Sequence, residues 1–239
     1  MNQYINVQTF GRTIIASRDN PRIAVNRLWY VNSGTAVITN ATNTITILPG
    51  KIYILPQSDV FKIVSADQLD ITFFNFYSSR ILCHDSIHCF DAEGFPHLSF
   101  FEYAGSLGPA PITNIYRSAM GHMFTGFLML LEKYYPIPYL NDTDISQAVT
   151  LIHEDIAHIT TASLAQSLNL NISYFIRKFK ASMGFSPMQY ILSCRLTYAQ
   201  NYLVQGYSVS DTAELIGYAT VSAFSKAYKK KFGKPPTQL

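Results

Sequence analysis

The chain has 239 residues, of which 48% are hydrophobic, and a formal net charge of +3. A chain of this length and composition can bury one large or two modest cores, which excludes an intrinsically disordered protein. Three cysteines without a secretory leader predict a cytoplasmic protein with reduced thiols, and the most apolar stretch, residues 124–131, is too short to cross a membrane.

Residues 27–77 have the pattern of short β-strands. Segments rich in Val, Ile, Thr and aromatic residues are separated about every ten residues by turn signals, which predicts an antiparallel β-sandwich or barrel. The turn signals are NSG at 32–34, NATN at 40–43, PG at 49–50 and PQSD at 56–59. Aromatic residues in these strands are candidates for a small-molecule pocket, although strand aromatics more often belong to the core. The candidates are Trp29, Tyr53, Phe74 and Phe76.

Residues 81–113 lack a regular pattern but contain several potential zinc ligands. These are Cys83, His84, His88, Cys89 and His97. Thiolate and imidazole groups suit zinc, and the spacing of four residues between His84 and His88 would place both on one helical face. The order of the ligands matches no standard zinc motif, so the segment is interpreted as a connector, and neither a metal nor another cofactor is predicted.

The chain lacks the residue patterns of an enzyme. A cupin-type metalloenzyme would hold its metal with histidines on neighbouring strands. None of the six histidines lies between residues 27 and 77. No nucleophile triad or phosphate-binding loop is apparent either, so we predict that the protein is not an enzyme.

A helical pattern starts near Thr113. Within residues 115–135, four apolar residues recur at helical spacing, which suits packing onto the β-domain and a dimer seam equally well. They are Phe124, Phe127, Leu128 and Leu131. Pro136, Pro138 and the sequence NDTD at 141–144 then predict a linker.

The sequence after this linker is helical in pattern and contains a repeat. Asp144 suits an N-cap, and apolar residues follow it at helical spacing. The stretches SYFIRKFKASMGFSP at 173–187 and SAFSKAYKKKFGKPP at 222–236 share their inward residues and their Gly and Pro stop signals with a shift of 49. Each follows a short helix and a residue suited to a tight turn, Asn169 or Gly217. The predicted unit is helix, turn, helix, and it occurs twice.

The positive charge of the chain lies in this repeated region. Residues 1–139 hold nine basic and nine acidic residues, whereas residues 161–239 hold nine basic residues and two acidic ones. This asymmetry favours a polyanionic partner, with nucleic acid ahead of a membrane surface. The alternative is the solvated face of an ordinary helical bundle. Repetition at matched positions favours DNA, because two helix-turn-helix units can enter successive major grooves about 34 Å apart.

From residue 145 to 236 the sequence resembles the AraC/XylS (arabinose-regulator) family of bacterial transcription factors. The family pattern "LA..L..S..yL.R.FK...G.SP..Y....R...A...L" is matched by LAQSLNLNISYFIRKFKASMGFSPMQYILSCRLTYAQNYL, and its second half by TAELIGYATVSAFSKAYKKKFGKPP. Many members have an N-terminal cupin-like β-barrel that binds an effector and dimerises, and ILPGKIYILP at 47–56 is similar to its turn and strand. The resemblance therefore favours a dimer seam in residues 115–135.

The resemblance also implies which residues contact DNA. The implied base-reading residues are Ser173, Ile176, Arg177, Val221, Ser222, Ser225 and Lys226. The residues assigned to phosphate are Tyr174, Lys178, Lys180, Lys229 and Lys230. Arg177 can pair with guanine through two hydrogen bonds, whereas Ile176 and Val221 can read only thymine methyl groups or belong to the core. Thr212 departs from the aliphatic residue usual in the family, which predicts looser packing of the second unit.

Taken together, the sequence predicts an α+β protein with an N-terminal cupin-like antiparallel β-barrel followed by an all-α domain with two helix-turn-helix units. The predicted domains are a β sensor domain at 1–112, a helical dimerisation segment and linker at 113–143, and the DNA-binding domain at 144–239. The predicted function is a transcriptional activator that acts as a homodimer. Its predicted partners are promoter DNA, RNA polymerase and a small-molecule effector, and no membrane association is predicted. The alternatives are a regulator whose first domain only dimerises or binds a protein, and, less favoured, a cupin-type enzyme with an appended helical domain.

Overall fold

A computed structural model describes residues 5–15, 25–40, 43–55, 61–82, 87–107, 114–137 and 139–238. The chain divides into an N-terminal unit, Met1–Ser78 with Leu82–Leu140, and a C-terminal unit, Ser79–Ile81 with Asn141–Leu239. No helix in the described ranges is both long enough and apolar enough to span a bilayer.

The N-terminal unit is built on an antiparallel sheet. The strands are β1 (Ile5–Ile15), β2 (Asn26–Thr39), β3 (Thr44–Ile47), β4 (Lys51–Leu55), β5 (Lys62–Ser78), β6 (Ile81–Leu82), β7 (His88–Asp91) and β8 (Tyr139–Leu140). The main sheet has the order β1-β5-β2-β4-β7, with β3 paired to β2. Strands β6 and β8 form a separate two-stranded sheet. The predicted antiparallel β-structure is thus confirmed.

The NSG sequence at 32–34 is a bulge within β2 and not the predicted turn. The register between β2 and β5 shifts on both sides of Ser33, and Gly34 has a φ of +76°. A Cβ at Gly34 would lie 2.2 Å from the carbonyl oxygen of Gln68, so glycine permits a close approach of the two strands. Turns and bulges both use glycine at positions with positive φ, so the sequence alone did not distinguish the bulge from a turn.

Two α-helices cover one face of the sheet. They are α1 (Ser99–Ser106) and α2 (Asn114–Tyr134), and α1 lies in the region predicted to be irregular. Phe74 of the sheet stacks on Phe100 and Phe124, with ring centroids 5.3 and 4.4 Å apart. These rings belong to an apolar cluster between the sheet and the two helices. The four apolar residues predicted for the helical segment are all buried in that cluster, so they pack onto the β-domain: Phe124, Phe127, Leu128 and Leu131.

The C-terminal unit is all α-helical in its described residues beyond Asn141. Its helices are α3 (Thr143–Glu154), α4 (Thr161–Ser167), α5 (Ile172–Met183), α6 (Pro187–Val204), α7 (Val209–Leu215) and α8 (Val221–Phe232). The N-cap of α3 is Asp142, whose carboxylate accepts from the Ile145 amide at 3.3 Å, and not Asp144 as predicted. Asp144 instead lies in the first turn, where a negative charge suits the helix dipole.

The helices form two similar units, α3–α5 and α6–α8, which confirms the predicted pair of helix-turn-helix units. Helices α5 and α8 start 49 residues apart and each has 12 residues. Helices α4 and α7 start 48 residues apart, at Thr161 and Val209, so the turn of the second unit is one residue longer. Both turns contain a residue with positive φ, Asn169 at +53° and Gly217 at +77°.

Candidate nucleic-acid interface

Helix α5 separates a buried apolar face from an exposed face with hydrogen-bonding and charged groups. Phe175, Phe179 and Met183 are fully buried and attach the helix to its unit. The exposed positions include the predicted base-reading residues and two predicted phosphate ligands: Ser173, Ile176, Arg177, Tyr174 and Lys180. Because the buried apolar face of α5 is narrow, the helix can present most of its surface to a DNA groove.

Helix α8 repeats this arrangement with more positive charge. Phe224 and Tyr228 are buried, and Ser225 is half-buried. The other predicted DNA-contacting residues of α8 are exposed: Val221, Ser222, Lys226, Lys229 and Lys230. Its last turn contains three consecutive lysines, 229–231, which places positive charge at the negative end of the helix dipole.

Lys231 differs from its two lysine neighbours because it points towards α6. Its ammonium donates to the carbonyl oxygen of Ser193 at 2.7 Å, to Ser193 Oγ at 2.9 Å and to Thr197 Oγ1 at 3.2 Å. Burial lowers the pKa of Lys231 to about 8. Lys231 therefore fixes α8 against α6, a role that the run of lysines in the sequence did not reveal.

Lys178 is held inside the C-terminal unit, although the sequence assigned it to DNA phosphate. Its Nζ lies 2.5 Å from Asp144 Oδ2 and 3.1 Å from Asp142 Oδ1. The hydrogen bond to Asp144, more than that to Asp142, raises the pKa of Lys178. In this arrangement the ammonium joins α5 to the first turn of α3, whereas Lys180 is exposed.

Arg195 connects the two helix-turn-helix units, and the sequence did not indicate this role. From α6, its Nε donates to the carbonyl oxygen of Ile156 at 2.8 Å, and its guanidinium donates to that of Ala157 at 2.9 Å. These carbonyls lie just after α3, in the segment that leads to α4. Partial burial lowers the pKa of Arg195 from its ordinary value. Arg195 matches the second of the two arginines in the family pattern, and this match was the only sign of its role in the sequence.

The second unit contains a buried hydroxyl that finds no hydrogen-bond acceptor among the described residues. Thr212 of α7 is fully buried, and its Oγ1 has no partner in that part of the chain. Thr212→Val should therefore raise the free energy of unfolding by about 1 kcal/mol, because valine keeps the shape without the desolvated hydroxyl. Urea unfolding followed by circular dichroism measures this change.

Thr197→Val is the matched control for that substitution. Thr197 Oγ1 donates to the Ser193 carbonyl oxygen at 3.0 Å and accepts from Lys231, so the same change removes two interactions. It should lower the free energy of unfolding by about 1 kcal/mol or more. Equal shifts of both variants in one direction would contradict the assignment of an unsatisfied hydroxyl to Thr212.

The four aromatic residues predicted for an effector pocket lie in two different clusters. Phe74 and Phe76 face the helices α1 and α2, whereas Trp29 and Tyr53 belong to the second apolar cluster, which contains strand residues of β2 to β5. Trp29 pairs with Tyr53 across β2 and β4, so both side chains share one face of the sheet. All four are buried, and the structure does not bring them together as one lining.

The potential zinc ligands do not form a cluster in the described ranges. Cys83 and His84 lie outside the described residues, and His88 and Cys89 are consecutive residues of β7, whose side chains point to opposite faces. Across the residues that the structure describes, no three His, Cys, Asp or Glu side chains come together in a group suited to a metal ion.

Comparisons with known proteins extend these findings. Residues 164–239 match a family model described as a helix-turn-helix domain. The Msm operon regulatory protein of Streptococcus mutans is 26% identical over 97% of this chain and 86% of its own length. A putative AraC-like transcription regulator of Streptomyces lividans is 33% identical over 41% of this chain, and the lactose operon transcription activator of Staphylococcus xylosus is 33% identical over 37%. This chain spans 33% of the length of each of these last two relatives.

A solved structure shares the fold along nearly the whole chain. ToxT from Vibrio cholerae, bound to (E)-4-(8-methylnaphthalen-1-yl)but-3-enoic acid, superposes with a TM-score of 0.62 at 17% identity. The match covers 99% of this chain and 97% of that structure. The order of an antiparallel β-domain followed by paired helix-turn-helix units is therefore a known arrangement.

Proposed function

We propose that this chain is a transcriptional regulator of the AraC/XylS family, and that it activates transcription by reading an asymmetric promoter site with both α5 and α8. One observation carries the proposal: two 12-residue helices at a repeat of 49 residues bury the same apolar seam and expose different residues. Because both helices bury equivalent apolar residues, they would lie in the DNA groove in the same orientation, while their different exposed residues would read different bases.

The residues of the two helices divide into base readers and phosphate ligands. The proposed base readers are Ser173, Ile176 and Arg177 on α5, with Val221, Ser222, Ser225 and Lys226 on α8. The proposed phosphate ligands are Tyr174, Lys180, Lys229 and Lys230. Arg177 is the principal base reader, because its exposed guanidinium can donate two hydrogen bonds to guanine O6 and N7.

Salt-dependent DNA binding tests the proposal. A duplex selected from a random pool by the full chain should bind with log K falling linearly against log salt. Lys229→Ala should reduce the slope by about 0.9 because one phosphate contact is lost. Arg177→Ala should reduce the discrimination between the selected base pair and its replacement by about 1 to 3 kcal/mol. Fluorescence anisotropy measures both quantities.

Lys133→Ala is the matched control, since this exposed lysine lies on α2 of the N-terminal unit. It should leave the slope unchanged. Association that does not depend on salt would contradict DNA binding altogether. An unchanged base preference in Arg177→Ala would remove Arg177 from the base readers while leaving the phosphate contacts in place.

A homodimer through α2 is the proposed assembly. The outward side of this helix exposes Met123, Met129, Leu130 and Tyr134. From residue 118 to 131 the sequence has no Asp, Glu, Lys or Arg, so no charged residue of α2 lies between Met123 and Leu130. Tyr134 has Lys133 beside it, with the ammonium 5.9 Å from the ring centroid. Contiguous exposed apolar surface of this kind marks interfaces. Sedimentation equilibrium of the full chain, with Met129→Glu as the disrupting variant, distinguishes a dimer from a monomer.

The N-terminal unit is the proposed sensor of a small-molecule effector. Relatives are named for the lactose and raffinose operons, and one ToxT structure is described as bound to an unsaturated fatty acid. Sugars and fatty acids are therefore the first compounds to screen, by the shift of the thermal unfolding midpoint. If no compound shifts it, the unit serves dimerisation or a protein partner instead.

As a promoter-binding activator, the protein would contact RNA polymerase and act in the cytoplasm.

A further inference from the structure

The first turn of α3 contacts the recognition helix α5 through two carboxylates, which we call the acidic clamp: Asp142 and Asp144. Both carboxylates contact the ammonium of Lys178, at 3.1 and 2.5 Å. Asp142 also accepts a hydrogen bond from Ser182 Oγ, one turn further along α5, at 3.4 Å. The clamp therefore holds one side of α5 by two of its residues.

Lys178 lies at the edge of the surface that α5 presents. Successive helix residues are about 100° apart, so Lys178 lies between the exposed Arg177 and the buried Phe179 around the helix. A helix in the major groove has base edges in front and phosphates along its sides. An ammonium at the side of α5 is therefore placed to reach a phosphate as soon as it leaves the clamp.

The contacts of Lys178 are weak enough to break when the first turn of α3 opens. The side chains of Lys178, Asp142 and Asp144 remain 23%, 20% and 37% exposed, so water and salt screen the ion pairs. Ion pairs at such partly exposed positions contribute about 0 to 1 kcal/mol each. A phosphate offers the ammonium a similar charge-assisted hydrogen bond and also releases a condensed counterion.

The clamp also lies where the chain enters the C-terminal unit at Asn141. Asp142 is the N-cap of α3, so its position depends on the first turn of that helix being formed. The clamp thus begins one residue after the chain enters this segment of the unit.

On these grounds we propose that Asp142 and Asp144 withhold Lys178 from the DNA backbone, and that opening of the first turn of α3 releases Lys178 as an additional phosphate ligand. The inference rests on the proposed DNA-binding function. It gives the linker a direct way to change the affinity of the first helix-turn-helix unit.

A comparison of four full-length proteins tests the inference: the wild type, Lys178→Gln, Asp142→Asn/Asp144→Asn and the triple variant. Asparagine at 142 keeps an N-cap acceptor. Binding to a fluorescein-labelled duplex of random sequence is measured against salt. The double variant should steepen the slope of log K against log salt by about 0.9. Lys178→Gln alone should leave the slope at the wild-type value, and the triple variant should return to it.

Glu154→Gln/Asp155→Asn is the matched control, because it removes two negative charges from the exposed C-terminal end of α3. It should leave the slope unchanged. This result would separate the release of Lys178 from a general loss of repulsion between acidic side chains and DNA phosphates. An unchanged slope in Asp142→Asn/Asp144→Asn, or an equally steep slope in the triple variant, would overturn the inference. Salt-independent binding by the wild type would instead overturn the proposed function. Circular dichroism confirms that each variant is folded.

Discussion

Gly217→Ala is expected to lower the free energy of unfolding of the C-terminal unit by about 4 kcal/mol, a large part of the roughly 5 to 15 kcal/mol typical of a domain. Gly217 follows α7 in the turn of the second unit and has a φ of +77°. A Cβ at this position would lie 2.0 Å from the carbonyl oxygen of Ala157. That oxygen accepts a hydrogen bond from Arg195, so neither the backbone nor its partner can move aside without loss.

Gly233→Ala is the matched control for Gly217→Ala. Gly233 has the same φ of +77°, but a Cβ there would meet no heavy atom of the described chain within 4 Å. The control therefore measures only the cost of alanine in the left-handed region, about 1 to 2 kcal/mol. Far-ultraviolet circular dichroism in urea monitors the helical unit. Equal losses in the two variants would show that Gly217 does not make the close approach to Ala157.

The helical half of the fold could be predicted from sequence because its signals are local and repeated. Glycine ends both recognition helices, at Gly184 and Gly233, and the apolar seam recurs every three or four residues. The exposure of Arg177 follows from that periodicity alone. Local patterns of this kind need no knowledge of what the helix packs against.

The parts of the site that escaped prediction depend on contacts between distant residues. Lys178 and Asp144 are 34 positions apart, and Lys231 and Thr197 are also 34 positions apart. A lysine-rich segment looks the same whether its ammonium groups face water, carboxylates or helix carbonyls. Only the packing of α5 on α3 and of α8 on α6 decides which of them remain for DNA.

Strand β1 was not predicted, because the cues that reveal a strand are interrupted there. Its register against β5 shifts between Val7 and Thr9, which breaks the alternation of inward and outward residues. Strand β5 also departs from its sequence pattern, because it continues through a polar stretch without interruption. The polar stretch near Asp67 resembles a turn, but it continues to pair with β2.

His153 should make the C-terminal unit unstable in mild acid. The imidazole lies in the core between α3 and α6, with Nδ1 3.2 Å from the Tyr198 hydroxyl and Nε2 3.2 Å from the Tyr190 hydroxyl. Burial lowers the pKa of His153 from 6.5 to about 3, because removal from water disfavours the charged imidazolium. The folded unit therefore keeps this histidine neutral, while the unfolded chain protonates it below pH 6.5.

The sign of the effect follows from proton uptake by the unfolded state. Stability from neutral His153 is fully present above pH 6.5 and decreases as the pH falls towards 3, with about 2 kcal/mol lost by pH 5. His153→Gln can still hydrogen-bond to both tyrosines but does not titrate, so its loss between pH 7.5 and 5 should be smaller by about 2 kcal/mol. His158→Gln removes an exposed histidine and should retain the wild-type loss. Urea unfolding at both pH values measures all three proteins, and a parallel loss in wild type and His153→Gln would show that His153 is not buried in its neutral form.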